Sequence, residues 1–213
     1  DVLAATDDDG DPEQPLLVVD DLSTTFTTAR GPVRAVEGVS LTLRRGRTLG
    51  IVGESGSGKS VLSRSIMGLV PSYATRTGSV RFDGIEMLDA GPKDLRKIWG
   101  SQMAMVFQDP MTALNPVQRI GAQIVESINE HLDHSSAQQR EMAIALLRSV
   151  GIPEPERRVK QYPHELSGGM RQRVVIAIAL ACGPRMLFAD EPTTALDVTV
   201  QAQILDLLSE QQS

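Results

Sequence analysis

The sequence predicts an α/β domain that opens with an antiparallel β region and contains an inserted block of helices. Three observations lead to this prediction. Short runs of strand-forming residues fill positions 16–49. Apolar residues at helical spacing dominate positions 117–182. After them, the run Met186–Ala189 is uniformly apolar, as strands buried in a parallel sheet are.

The first region carries the strand signals in order. Val39, Leu41 and Leu43 alternate with polar residues, which is the pattern of a half-buried strand. Positions 48–52 predict a buried strand that leads into a glycine-rich loop. Apolar residues at helical spacing then predict a helix that starts near residue 59 and is stopped by Pro71.

Three helices are predicted in the second region. Isoleucine recurs at every fourth position over 120–128, which predicts one amphipathic helix. Ser135 and Gln138 have the spacing of a capping box, which would open a second helix that ends before Gly151. The third is predicted from about 169 to 182 and is ended by a Gly-Pro pair.

Domain boundaries follow from these patterns. Residues 1–15 are predicted to form a flexible tail, because positions 7–11 are too acidic to pack. Residues 16–213 are predicted to form one domain, in which approximately 112–182 make a helical subdomain. The helical pattern after residue 200 continues to the end of the sequence without a clear cap, which predicts a piece of a longer protein.

Composition excludes several classes of protein. A chain of 213 residues with 41% hydrophobic and 23% charged residues can bury a core without disulfides or metals. A net charge of −6 gives no bulk attraction to nucleic acid. A single cysteine, Cys182, excludes an internal disulfide framework. The longest apolar run, 174–182, is too short to cross a bilayer.

The glycine-rich loop fits the full pattern of a phosphate-binding loop, or P-loop. Its residues are Gly53, Glu54, Ser55, Gly56, Ser57, Gly58, Lys59 and Ser60. The glycines let successive backbone N–H groups turn toward a phosphate, and the following helix points its positive dipole end at the same anion. Lys59 would reach the β- and γ-phosphates, and the Ser60 hydroxyl would bind Mg²⁺. The sequence therefore predicts a P-loop nucleoside triphosphatase.

Two carboxylates follow the apolar strand Met186–Ala189. Ligands of open α/β sheets bind at the carboxyl ends of strands, so we expect Asp190 and Glu191 to face the P-loop. Asp190 suits the role of holding Mg²⁺. Glu191 suits a general base that polarises the attacking water.

A short motif before the third predicted helix indicates which kind of P-loop nucleoside triphosphatase the sequence encodes. The Ser167 hydroxyl can donate to an oxygen, and Gly168 and Gly169 allow close approach of the backbone at a helix N-terminus. Together with the P-loop and the acidic pair, this motif resembles the signature of ATP-binding cassette (ABC) ATPases. The resemblance implies that the signature of one domain closes over the nucleotide that a second domain holds.

Further residues match the same family. Gln108 resembles the glutamine of the Q-loop, for which the family implies a role in catalysis and at the metal. Asp197 matches the D-loop, a part of the nucleotide site, and Phe26 matches the aromatic residue that stacks on adenine. The family's switch histidine would lie beyond residue 213, so no histidine of this chain is assigned to it.

The resemblance is also specific within the family. Positions 107–116, 162–173 and 190–203 look like the ATPase subunits of oligopeptide and dipeptide importers. Met170 stands where many ABC proteins have glutamine, as it does in the peptide-importer relatives. The similarity extends over about residues 16–208.

This resemblance implies an ATP hydrolase that uses ATP and Mg²⁺ to energise peptide import. It implies a second ABC nucleotide-binding domain and two transmembrane permease subunits as partners, and an extracytoplasmic substrate-binding protein as part of the complex. Nucleic acid is not expected as a partner. The expected location is the cytoplasmic face of the cell membrane, as a peripheral subunit.

Two alternatives remain open at this stage. ATPases of importers for nickel or other small solutes carry much the same motifs. A soluble, non-transport ABC ATPase is the second alternative. It is disfavoured because chromosome-structural relatives carry a very long coiled coil where this chain has only the short span 108–166, and because the net charge is −6.

Overall fold

The computed structural model describes residues 14–54, 56–107 and 113–190, together with the backbone of residues 2–5. The strands among them are β1 (Val2–Ala5), β2 (Pro15–Thr28), β3 (Gly31–Arg44), β4 (Thr48–Gly50), β5 (Ala74–Phe82), β6 (Ile85–Glu86), β7 (Met103–Val106) and β8 (Met186–Ala189). The helices are α1 (Lys59–Met67), α2 (Pro92–Ile98), α3 (Ile120–His131), α4 (Ser136–Ser149), α5 (Pro155–Arg158) and α6 (Gly168–Leu180), with a 3-10 turn at Pro163–Glu165. The predicted α/β class is confirmed.

An antiparallel sheet forms the first part of the domain, as the sequence predicts. Its strand order is β3-β2-β5-β6. Leu43 on β3 is buried while its neighbour Thr42 is exposed, which is the alternation that the sequence shows. Strand β2 lies between β3 and β5, and its Leu17 is paired with Leu43 of β3 on one side and with Phe82 of β5 on the other.

The second sheet has the order β4-β1-β8-β7. Strands β7 and β8 are parallel, and β1 is antiparallel to both β4 and β8, so β4, β7 and β8 run in the same direction. All four residues of β8 are buried, as its apolar sequence predicts. Because β4 and β8 are parallel, the P-loop after β4 and Asp190 after β8 leave the sheet at the same edge.

Two hydrophobic clusters lie on opposite faces of β7 and β8. Ala104, Val106 and Leu187 belong to the cluster formed with helices α3, α4 and α6. Met105 and Phe188 belong to the cluster formed with the antiparallel sheet, α1 and α2. Alternate residues of each strand thus face opposite layers, which is why these strands are apolar throughout.

The strand before the P-loop is shorter than its sequence predicts. The sequence predicts a buried strand over 48–52, but β4 ends at Gly50, none of its three residues is buried, and Val52 is 97% exposed. A strand extends only as far as its partner supplies hydrogen bonds, and the pairing of β4 with β1 ends at Val2 and Gly50. The apolar character of Val52 could not reveal this limit.

The structure also differs from the prediction at the start of the chain. Residues 1–15 were expected to form a flexible tail, whereas Val2–Ala5 form β1 between β4 and β8. Main-chain hydrogen bonds to two neighbouring strands stabilise this short segment, whose residues are all apolar. The acidic residues of the expected tail, at 7–11, lie outside the described residues.

Capping interactions set the helix ends. Helix α1 stops at Met67, before Pro71, because Gly68 adopts φ 76° and its N–H bonds to Ser65 while Leu69 bonds to Arg64. Helix α4 begins with the predicted capping box of Ser135 and Gln138.

Among the described residues, none of the helices is long and apolar enough to cross a membrane.

A charge cluster joins the two sheets. Asp83, in the turn between β5 and β6, accepts hydrogen bonds from Arg45 and from Arg185, the latter at 2.6 Å. Arg45 lies between β3 and β4, and Arg185 directly precedes β8. The Arg185 hydrogen bond is the largest influence that lowers the pKa of the Asp83 carboxyl below its ordinary value. The cluster therefore fixes β8, and with it Asp190, relative to the antiparallel sheet.

Candidate functional site

The P-loop turns back on itself where its glycines allow it. Gly56 and Gly58 have φ values of 79° and 90°, which residues with a side chain rarely adopt. A Cβ atom at Gly58 would overlap the carbonyl oxygen of Ala35 on β3. A Cβ atom at Gly53 would lie 2.7 Å from the Ser57 hydroxyl oxygen. A backbone contact therefore requires glycine at position 58, the Ser57 hydroxyl leaves little room for a side chain at position 53, and the positive φ favours glycine at position 56.

Lys59 is the first residue of α1, and its side chain folds back across the loop. The Nζ atom donates hydrogen bonds of 3.0 Å to the carbonyl oxygens of Gly53 and Glu54. The ammonium group is thus held over the loop that the sequence predicts to bind phosphate. Gly58 caps the helix in a left-handed conformation, so the N-terminus of α1 opens directly onto this loop.

Ser60 and Asp190 meet at the edge of the sheet. The Ser60 hydroxyl donates a hydrogen bond of 2.8 Å to Oδ1 of Asp190. Asp190 is only 3% exposed, and its N–H donates at 3.0 Å to the carbonyl of Val106 at the end of β7. Two of the three residues that the sequence predicts at the metal are therefore adjacent, with Ser60 on α1 and Asp190 after β8.

A cavity of about 420 Å³ lies beside the P-loop. Gly53, Ser57, Gly58 and Lys59 form one side of it. The opposite side consists of β3 residues, namely Ala35, Val36, Glu37, Val39 and Leu41. These β3 residues are not predicted as part of the site, because no local pattern in the sequence indicates that β3 passes the loop. The one signal for a close approach was the glycine at position 58.

Phe26 lies in a different cavity, of about 610 Å³, which shares no lining residue with the P-loop cavity. The Phe26 ring packs against Tyr73, with 6.0 Å between the ring centroids. Arg64 and Trp99 also line this cavity. The role of Phe26 in stacking on adenine stays a prediction.

The signature residues lie at the start of α6. Ser167 is the N-cap of this helix, and its hydroxyl accepts a hydrogen bond of 3.3 Å from the Met170 N–H. Gly168 begins the helix and Gly169 follows it. Ser167 and Gly168 are exposed, so their polar groups face the surface of the domain.

Four residues of the predicted site lie outside the described residues. They are Ser55 in the P-loop, Gln108 of the Q-loop, the predicted general base Glu191, and Asp197 of the D-loop. Their roles remain predictions from the sequence.

The parallel strands, the loop between β4 and α1, and the acidic residue after β8 together define the class of this domain, which is a P-loop nucleoside triphosphatase fold. Residues 36–194, well over half of the chain, match the model of the ABC transporter family. The chain therefore belongs to the ABC transporter family, as its resemblance implied.

Two bacterial proteins illustrate the similarity. The chain is 52% identical over 200 residues to the oligopeptide transport ATP-binding protein OppD of Bacillus subtilis, a match that covers 92% of this chain and 56% of that protein. It is 52% identical over 197 residues to the dipeptide transport ATP-binding protein DppD of the same organism, covering 92% and 59%. The predicted similarity to peptide-importer ATPases is thus confirmed. The chain spans less than two thirds of the length of these relatives.

Solved structures share the fold. The ATP-binding cassette MJ0796, in a dimeric post-hydrolysis state bound to ADP and Pi, superposes with a TM-score of 0.81 at 30% identity, covering 92% of this chain and 83% of that one. The structure of cbiO1 from Clostridium perfringens, part of the ABC transporter complex cbiONQ, gives a TM-score of 0.73 at 28% identity, covering 94% and 74%.

Proposed function

We propose that this chain is the nucleotide-binding domain of a subunit that binds and hydrolyses ATP to energise the import of dipeptides or oligopeptides. The observation that carries the proposal is the contact of 2.8 Å between Ser60 at the end of the P-loop and Asp190 after β8. The peptide substrate is supported by relatives that are named as oligopeptide and dipeptide transport ATP-binding proteins.

The chain's own residues account for phosphate binding. The Lys59 ammonium group donates hydrogen bonds to the carbonyls of Gly53 and Glu54. When phosphate binds, it can donate to phosphate oxygens in place of these neutral acceptors. The N-terminus of α1 adds the positive end of its dipole at the same point. Binding would be electrostatic and would require no covalent chemistry from the protein.

The donor atoms at Ser60 and Asp190 fit Mg²⁺. A hydroxyl and a carboxylate are oxygen ligands of the hard kind that this ion prefers, and the two lie side by side. When bound there, Mg²⁺ would neutralise charge on the β- and γ-phosphates. Gln108 is proposed to contribute from the Q-loop.

Glu191 is proposed as the general base, since it directly follows Asp190 in the sequence. A carboxylate at this position would orient a water molecule and take its proton during attack on the γ-phosphate. The reaction is then phosphoryl transfer to water, in which the protein supplies position and charge.

A second nucleotide-binding domain is proposed to complete the site. Ser167 and Gly168 are exposed at the N-terminus of α6, where they can face a nucleotide held by another domain. Asp197 is proposed to lie at the same interface, and Phe26 to stack on adenine. Two permease subunits and an extracytoplasmic binding protein complete the proposed complex, which places this subunit at the cytoplasmic face of the membrane.

The proposal is tested in the full-length protein with the Lys59→Ala and Glu191→Gln variants. Lys59→Ala should weaken MgATP binding by at least about tenfold, because a charge-assisted contact to phosphate is lost. Glu191→Gln should bind MgATP but hydrolyse it about 10²–10⁴ times more slowly. Binding is measured by calorimetry and turnover by phosphate release. Unchanged binding in Lys59→Ala would contradict the P-loop assignment.

The substrate is tested separately, in membrane vesicles that contain the subunit with its permease partners. ATP-dependent uptake of labelled di- and oligopeptides is expected, and the Glu191→Gln variant is the control for uptake that does not need hydrolysis. Uptake of nickel or another small solute without uptake of peptides would show that the subgroup assignment is wrong while the ATPase assignment stands.

A further inference from the structure

The turn before α6 carries a stack of flat side chains. The rings of Tyr162 and His164 lie with 5.6 Å between their centroids and 11° between their planes. The guanidinium carbon of Arg119 lies 5.8 Å from the centroid of the Tyr162 ring. These distances are typical of aromatic stacking and of a cation–π contact. The Tyr162 ring is therefore held between neighbours, and the imidazole of His164 is held against it.

The backbone of this turn is fixed as well. The Glu165 N–H donates at 3.0 Å to the Tyr162 carbonyl, and the Glu165 carboxylate accepts at 2.7 Å from the Tyr162 N–H. Pro163 and Leu166 are buried, whereas His164 is exposed. Because buried residues on both sides of it anchor the turn, the His164 side chain lies at the surface in a defined position.

The turn leads directly to the signature residues at the start of α6. Ser167 follows His164 by three positions, and both residues are exposed. Three positions span at most about 11 Å of chain. This length is comparable with the separation of the base and the γ-phosphate in an extended nucleoside triphosphate. A nucleotide whose phosphates meet Ser167 can therefore place its base beside His164.

We propose that His164 contacts the nucleotide held by the second domain, and that its imidazole stacks on the base while Ser167 and Gly168 meet the phosphates. This inference rests on the proposed function. The base would then be enclosed between His164 of one domain and the adenine-stacking residue of the other, for which Phe26 is the proposed equivalent. His164 thereby contributes to the selection of the nucleotide that closes the two domains.

The chemistry of the contact follows from the ring pair. Since the planes of Tyr162 and His164 are nearly parallel, a third flat group can continue the stack. Histidine is one of the side chains on which nucleic-acid bases stack. Stacking uses the face of a base and needs no hydrogen bond to its edge, so preferences among bases come from stacking strength. The larger purine bases should therefore gain more from His164 than pyrimidines do.

The chain contains a matched control for removal of this imidazole. His134 is another exposed histidine, in the loop between α3 and α4. Within the part of the chain that the structure describes, its side chain has no ring or hydrogen-bond partner. His134→Ala therefore controls for the loss of an exposed imidazole that is not part of the stack.

The experiment compares His164→Ala, His164→Phe and His134→Ala in the full-length protein. Calorimetry on the isolated subunit measures MgATP binding at its own P-loop, which should be unchanged in all three variants. The value of kcat/KM for ATP and for UTP is then measured in the complex with the permease partners. His164→Ala should lower kcat/KM for ATP by about five- to hundredfold, the range for loss of one base–aromatic stack, and should lower it less for UTP. His164→Phe keeps a ring face and should retain most of the activity.

The outcomes are distinguishable. Wild-type kcat/KM for ATP in His164→Ala would overturn the proposal. An equal loss for ATP and UTP would also overturn it, because a structural defect of the turn does not depend on the base. A loss in His164→Phe as large as in His164→Ala would show that stacking is not the interaction. A wild-type complex that does not hydrolyse ATP would remove the proposed function itself, and this inference with it.

Discussion

The hydroxyl of Ser60 and the carboxylate of Asp190 are 2.8 Å apart, although 130 positions separate them in the sequence. This contact joins the start of α1 to the end of β8. It depends on β4 and β8 being parallel, because only then do the P-loop and Asp190 leave the sheet at the same edge. The relationship gives a direct test of the proposed metal site.

Asp190→Asn should weaken the dependence of nucleotide binding on Mg²⁺ without unfolding the domain. Asparagine keeps the oxygen that accepts from Ser60, but it removes the negative charge that attracts the cation. We expect the Mg²⁺ concentration for half-maximal MgATP binding to rise by at least about tenfold, since changing even a residue that only supports a metal ligand typically costs about 10- to 100-fold in metal affinity. A magnesium titration followed by calorimetry measures this. An unchanged midpoint would contradict the role of Asp190.

Gly58→Ala should damage the P-loop more than Gly56→Ala. Both glycines have positive φ, so an alanine at either position costs about 1–2 kcal/mol of conformational strain. Only Gly58 has a backbone neighbour, the Ala35 carbonyl, which a Cβ atom would overlap, whereas Gly56 has nothing within 4 Å. Urea unfolding and MgATP affinity should both be affected more strongly in Gly58→Ala. Equal effects would show that the contact with β3 is unimportant.

The features that were predicted correctly from the sequence are local. The P-loop, the buried strand β8 and the capping box of Ser135 and Gln138 each depend on residues within a few positions of one another, so their patterns are visible in the sequence. The end of α4 is another feature that local sequence predicts, since Gly151 follows this helix and adopts the αL conformation.

The features that were missed depend on partners far away in the chain. The length of β4 is set by β1, so Val52 is exposed despite its apolar side chain. The Ala35 carbonyl lies beside Gly58 because of the path that β3 takes through the fold. Residue type and spacing alone contain no information about these paths.

Ser167 variants should separate helix capping from a role in catalysis. Ser167→Ala removes the bond from the Met170 N–H and should cost about 1 kcal/mol of stability, whereas Ser167→Gly should cost only a few tenths. Both remove the hydroxyl proposed to face the nucleotide. We expect ATPase activity to fall in both, independently of stability. Wild-type turnover in Ser167→Gly would mean that Ser167 serves only as a cap.

Asp83→Asn should destabilise the domain in a pH-dependent manner. Asparagine tolerates the φ of 48° at this position, so the substitution removes charge without adding backbone strain. It weakens the hydrogen bonds from Arg45 and Arg185, whose side chains are only 8% and 19% exposed. We expect a loss of about 2 kcal/mol at neutral pH, measured by urea unfolding.

The pH dependence follows from the lowered pKa of the Asp83 carboxyl in the folded state. The stabilisation of the fold by the ionised Asp83 carboxylate is complete above the unfolded pKa of about 3.9. It is lost as pH falls below that value toward the folded pKa. The difference in unfolding free energy between wild type and Asp83→Asn should therefore be constant at neutral pH and shrink in acid. Asp94→Asn is the control, because Asp94 pairs with Lys97 on the surface and both side chains are more than half exposed; it should change stability by less than about 0.5 kcal/mol. A difference for Asp83→Asn that does not shrink in acid would show that the carboxylate charge is not what joins the two sheets.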